Sequence, residues 1–283
     1  METGTPSATA SFVANLRAIH QIVDGEPKIL DDPIAVPLAT AASGAPLPIN
    51  ETAHLPVMTA MRSLFVLRSR VVEDQLQNAI GKGVTQYVIL GAGLDTFALR
   101  QPFFARSLTI YEIDHPATQA WKRAVITQVV ERIPNNVRFV PLDFETSRLD
   151  AALEAGGLDR HAAVFFSWLG VVQYLTWGAI KDTLRVVAEL PSGTSIGFTF
   201  VLPDEDLDGV HLEVTRYASR FAAGRGEPWL TRFRADDLRD RLHELGFSSV
   251  CHVGASDAHE RYFAQRRDTL IAPRWEELMI ATV

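Results

Sequence analysis

The run Tyr87-Val88-Ile89-Leu90-Gly91-Ala92-Gly93-Leu94-Asp95-Thr96 places apolar residues before two glycines and then a carboxylate. A parallel strand covered on both faces is a short continuous apolar stretch, and glycines at its carboxyl end let a bound molecule approach the backbone. Asp95 narrows the ligand. A dinucleotide would set its pyrophosphate on the following helix N-terminus, where this carboxylate repels it, and the third glycine of the dinucleotide fingerprint is missing. S-adenosylmethionine fits better, because it has no phosphate and brings an ammonium group that Asp95 can hold.

Further along, Ile110-Tyr111-Glu112-Ile113-Asp114 offers two carboxylates about twenty residues past the glycines, where an acidic side chain accepts from both ribose hydroxyls. Glu112 and Asp114 are both candidates, with pairing to Lys122 or Arg123 as the alternative. Leu142-Asp143-Phe144 supplies a carboxylate for an exocyclic amine and a ring to flank adenine. Methyl transfer is an in-line displacement from a positive sulfonium, so positioning and desolvation carry most of it. A carboxylate acceptor needs only to be oriented, whereas a hydroxyl also needs a base. Tyr174 is the candidate orienting group, and His115 or His211 the candidate base. Asp31-Asp32 reads as a cap for the next helix, with closure of the cofactor pocket as a second reading. The histidines show no ligand spacing, so no metal site is expected, and Cys251 reads as a buried, inert thiol.

These residues need a scaffold that brings strand ends together. Phe12, Leu16, Ile19 and Val23 are spaced as on an amphipathic helix capped at Ser11, after a frayed stretch over residues 1–10. Asp31-Asp32-Pro33 opens a second helix with Pro33 in its first turn. Residues 43–56, with four Gly or Pro, form a loop, and 58–80 a long helix ending at Gly81 and Gly83. After the strand at Tyr87, strand-like runs recur at 108–111, 137–142, 163–166 and 195–201. Helical patterns at 116–133, 148–155 and 177–190 separate them. This alternation is that of a doubly wound α/β fold. Residues 203–234 break the alternation as an insert that can serve as a lid. A helix at 235–245, a strand at 247–253 and a last run at 278–283 follow. The expectation is a single domain over 1–283: a helical cover (1–60), a cofactor-binding core (61–202), the insert (203–235) and a C-terminal helix and strands (236–283).

Composition limits the partners. Of 283 residues, 47% are hydrophobic and 22% charged, as in an ordinary globular chain. The 27 basic and 34 acidic side chains give a formal charge of -7 with no block of like charge, which disfavours nucleic acid. The single cysteine, the lack of a secretory signal and the absence of about 18 uninterrupted apolar residues point to a cytoplasmic protein with no membrane partner. A small-molecule or peptide methyl acceptor is the expected partner.

Taken together, Asp31-Asp32-Pro33, Arg68 with Arg70, Leu90 through Thr96, Tyr111 through Asp114 with Pro116, Asp143, and Gly170 through Tyr174-Leu175 resemble the leucine carboxyl methyltransferase-like branch of class I S-adenosylmethionine-dependent methyltransferases. The resemblance covers most of the chain. It implies that Arg68 holds the cofactor carboxylate, Gly91 and Gly93 face its methionine portion, Asp114 binds the ribose, and Asp143 with Phe144 binds the adenine. It also implies a helical N-terminal cover on a Rossmann-like, seven-stranded, mostly parallel sheet whose last strand is antiparallel. Phe97 and Leu169 stand where many relatives carry Arg and Glu, which implies a more apolar acceptor pocket. The expected activity is O-methyl transfer to a carboxylate or hydroxyl; the rivals are an NAD(P)-dependent oxidoreductase and a cofactor-binding regulatory protein without turnover.

Overall fold

The computed structural model describes residues 7–283. The fraying expected over 1–10 lies partly outside these residues, and from Ala8 onward the chain is helical. Helix α1 (Ala8–Val23) is capped by Ser7, whose hydroxyl accepts from the Ala10 N–H, rather than by Ser11. Helix α2 (Ala35–Ser43) begins after Pro33 instead of containing it. The Asp32 carboxylate accepts from the Ile34 N–H and turns the chain into that helix. Helix α3 (Pro56–Gly81) starts with proline in its first turn, where a missing N–H costs nothing.

A seven-stranded sheet follows, with β1 (Gln86–Leu90), β2 (Thr109–Asp114), β3 (Val137–Pro141), β4 (Val164–Trp168), β5 (Ser195–Val201), β6 (Ser249–Val253) and β7 (Glu276–Thr282) in the order β3-β2-β1-β4-β5-β7-β6. Strands β1 to β5 pair in parallel, and β7 runs antiparallel to both β5 and β6. The fully buried runs of β1 and β4 explain their unbroken apolar sequence, since both faces of these central strands are covered. Crossovers come from the short α4 (Phe97–Arg100), α5 (Pro116–Ile126), α6 (Leu149–Ala155) and α7 (Trp177–Ala188). The insert contains α8 (Gly209–Ala223), and α9 (Ala235–Glu244) leads into β6.

Two apolar layers sandwich the sheet, and α3 belongs to both: Leu64 and Phe65 pack with Trp168 and Phe198 on one side, Val71 and Leu76 with Ile110 and Phe165 on the other. Trp168 is a core aromatic, as its sequence context suggests. Cys251 is exposed, contrary to expectation, because β6 forms the sheet edge and its alternate residues face outward. The chain leaves β1 toward β2 and β3 on one side and returns to β4 on the other. A crevice opens at that reversal, beyond the carboxyl ends of the strands. No helix among the described residues is long and apolar enough to cross a membrane.

Candidate functional site

A cavity of about 590 Å³ occupies this crevice. Gly91, Gly93, Asp95, Asp114, Asp143, Phe144, Arg68 and Tyr174 all line it. The turn after β1 is held shut by the Gly91 and Ala92 N–H groups, which donate to the Ile113 carbonyl at 2.8 and 3.1 Å. Gly91 adopts φ +66°, and a Cβ there would collide with Val171 Cγ2 across the crevice. Glycine is thus required by both backbone and packing.

Asp114 stands at the tip of β2. Its carboxylate accepts from the Gly93 N–H and, at 2.7 Å, from the His115 N–H, which fixes its orientation while leaving further lone pairs on a group that lines the cavity. Burial raises its pKa, opposed by those two backbone donors. Glu112 does not line the cavity. It is buried and sits 2.7 Å from Lys122 Nζ on α5, the alternative that strand position left open. Burial pushes its carboxyl up to about 7 despite the ammonium.

Asp143 closes a turn by accepting from the Glu145 N–H at 3.0 Å while bordering the cavity beside Phe144. The Phe144 ring lies 6.0 Å from that of Trp168. Arg68 projects from α3 and pairs with Glu276 of β7 at 3.0 Å, its guanidinium over the Phe65 ring. A Cβ on Gly170 would fall 2.5 Å from Arg68 Nη1, so that glycine makes room for the arginine.

Asp95 already has partners within the chain. Its Oδ2 pairs with Arg17 of α1 at 3.1 Å, and its Oδ1 accepts from the Phe97 N–H at 2.7 Å. Arg17 and that backbone donor keep the carboxylate ionised, with its pKa lowered against burial. An ammonium would have to compete with a guanidinium already in place. The same Arg17 reaches the fully buried Asp32 at 3.0 Å and donates to Thr96 Oγ1 at 2.9 Å. Asp32 therefore also ties the N-terminal cover to the glycine loop, the second of the two roles considered for it.

The two histidines considered as bases stand differently: His115 lines the cavity and His211 does not. His115 Nδ1 accepts from the Ala117 N–H and caps α5, and His211 on α8 lies outside the cavity lining. Phe97 packs against Tyr87 in the core, while Leu169 borders the cavity. Among the described residues no cluster of three His, Cys, Asp or Glu is arranged to hold a metal ion.

Sequence reasoning missed Arg17, Gln173, Glu227, Trp229, Trp275 and Glu276, all of which line the cavity. Thr9 donates to Glu227 at 2.7 Å, and the Phe12 and Phe221 rings lie 4.5 Å apart, so α1 meets the insert at this wall. Trp229 and Trp275 are stacked with planes 6° apart. Burial raises the Tyr174 pKa and keeps its phenol protonated at neutral pH.

The family model of the leucine carboxyl methyltransferases matches residues 10–188. YktD of Bacillus subtilis, provisionally named an S-adenosyl-L-methionine-dependent methyltransferase, is 34% identical over 209 residues, which span 72% of this chain and 67% of that protein. SCO7813 of Streptomyces coelicolor, with the same provisional name, is 28% identical over 278 residues, 95% of this chain and 91% of its own. Among solved structures, a DUF574 family protein from Streptomyces avermitilis shares the fold with a TM-score of 0.55 at 18% identity, covering 94% of this chain and 96% of that one. A Thermobifida fusca protein gives 0.57 at 15% identity, covering 99% and 96%.

Proposed function

The chain belongs to the leucine carboxyl methyltransferase family of S-adenosylmethionine-dependent methyltransferases, and on that premise we propose that it methylates an oxygen, carboxylate or hydroxyl, of a small molecule or peptide. The observation that carries this reading is the single cavity shared by the cofactor candidates and an aromatic wall. Gly91, Gly93, Asp114, Asp143 and Phe144 line it together with Tyr174 and residues of α1, α3 and the insert.

In this reading Asp114 holds the ribose hydroxyls, Asp143 and Phe144 flank the adenine, and Arg68 meets the cofactor carboxylate while sharing its charge with Glu276. S-adenosylmethionine supplies an electrophilic methyl on a sulfonium. The chain aligns an oxygen opposite the departing sulfur and excludes water, with the Tyr174 phenol as a hydrogen-bonding partner for that oxygen. The reaction takes place in one domain that resides in the cytoplasm. Family membership replaces the dehydrogenase rival, which also lacks support from the glycine pattern.

Incubation with methyl-labelled S-adenosylmethionine and a panel of carboxylic acids, phenols and short peptides is the direct test. Label released into an organic-extractable ether or ester supports the reading. Tight cofactor binding without transfer to any oxygen across the panel argues instead for the regulatory alternative.

A further inference from the structure

Six carboxylates border the cavity, from Asp95, Asp114, Asp143, Glu145, Glu227 and Glu276, against two guanidiniums, Arg17 and Arg68. Both guanidiniums are already paired, Arg17 with Asp32 and Asp95 and Arg68 with Glu276. The one other basic residue in the lining, His115, caps α5 beside Asp114. S-adenosylmethionine adds a net single positive charge, which does not offset this excess of acid. An anionic acceptor would have to leave water for a wall where, among the described residues, no Lys or Arg is left unpaired to receive it.

Six aromatic rings stand in the rest of that wall, beside aliphatic residues such as Val13, Met61 and Leu230. Phe12, Phe65, Tyr174, Phe221, Trp229 and Trp275 come from α1, α3, the turn after β4, the insert and the residue before β7. Flat rings on several elements favour a flat ring system, whose faces and edges they can meet by stacked and edge contacts. Within about 590 Å³ that must also hold the cofactor, there is room for a compact molecule. The joined Thr9–Glu227 and Phe12–Phe221 pairs leave the cover and the insert in contact along this side.

We infer that the methyl acceptor is an uncharged hydroxyl on a flat aromatic molecule, and that Glu227 takes its proton. This deepens the methyltransferase reading and rests on it. Of the two glutamates whose charges reach the Tyr174 phenol, Glu276 is held by Arg68, whereas Glu227 Oε2 accepts only a hydroxyl, from Thr9, among the described residues. In the step, a lone pair of the hydroxyl oxygen forms the bond to the methyl carbon. The carbon–sulfur bond breaks with its electron pair going to sulfur, which becomes a neutral thioether. The hydroxyl proton passes to the Glu227 carboxylate and from there to water.

The test uses a matched naphthalene series, 2-naphthol, 2-naphthoate and 2-naphthylmethylammonium, titrated calorimetrically into the full chain saturated with S-adenosylhomocysteine. The naphthol should bind at least about tenfold more tightly than either charged relative, and with S-adenosylmethionine it should yield the methyl ether. Equal or tighter binding of the naphthoate or the ammonium overturns the inference, and so does failure of all three. Failure of S-adenosylhomocysteine itself to bind would instead sink the methyltransferase reading. Glu227→Gln should lower kcat for naphthol by about 100-fold, leave the cofactor KM unchanged, and be partly rescued in Glu227→Asp. An unaltered kcat removes Glu227 from the step.

Discussion

Asp114 is the residue on which cofactor affinity should depend most directly, because its carboxylate is pre-oriented by the Gly93 and His115 N–H groups. Asp114→Ala is expected to weaken S-adenosylhomocysteine binding by about 1–3 kcal/mol, the scale for hydrogen bonds to a charged group. Calorimetry beside a urea unfolding curve would separate this from a loss of fold. Gly170→Ala acts differently. At φ +70° and against Arg68, the added methyl must displace the guanidinium or the turn. Its expected signature is weaker binding of the cofactor with much less change for a decarboxylated analogue. Equal losses for both ligands would mean that the methyl acts by distorting the turn and that Arg68 does not serve the cofactor carboxylate. The charges paired across the fold were the hardest to read from sequence. Asp95 and Arg17 lie 78 positions apart, so nothing local to the glycine loop shows that its carboxylate is already claimed. Arg17 and Glu276 look like solvated charges until helix and strand are docked.

At the scale of elements, α1 is fastened to the glycine loop by Arg17 and to α3 by Asp24, which pairs with Arg62 at 2.9 Å and His20 at 2.9 Å. Arg17→Met would strip Asp95 of its paired guanidinium and leave the buried Asp32 only Arg100 at 3.8 Å, a defect of up to about 3–5 kcal/mol. Amide hydrogen exchange should then quicken across residues 8–23 while β1 and β4 stay protected. Unchanged protection in α1 would mean that apolar packing alone secures the cover. The strands were the most legible elements, since a parallel strand buried on both faces is an unbroken apolar run. Strand β5 begins and ends where its residue pattern predicts. Helix starts were less legible: the cap of α1 fell four residues early, and Pro33 stayed outside α2, because caps depend on where the preceding chain comes from. The segment between β6 and β7 carries no regular pattern, and it holds short helical turns before Trp275 and Glu276 reach the cavity.

For the whole molecule, the Asp24 clasp gives stability a definite acid limb. His20 and Arg62 hold the Asp24 carboxyl down at about 2, below its ordinary value near 3.8. A depressed carboxyl contributes stability that is present above its unfolded pKa and lost as pH falls through the folded one. About 1–2 kcal/mol should therefore disappear between roughly pH 4 and pH 2. Asp24→Asn should be less stable at neutral pH and flatter over that window in urea titrations, and a parallel acid limb would assign the loss to other carboxylates. The order of the sheet carries one more consequence. Strand β7 is the last strand of the sheet to be synthesised, yet it lies between β5 and β6. On a ribosome, β5 must wait with an unpaired edge, and with Phe198 and Phe200 short of their final neighbours, until 276–282 emerge. A nascent chain stalled before that point is a sticky, half-closed sheet and a natural client for a chaperone.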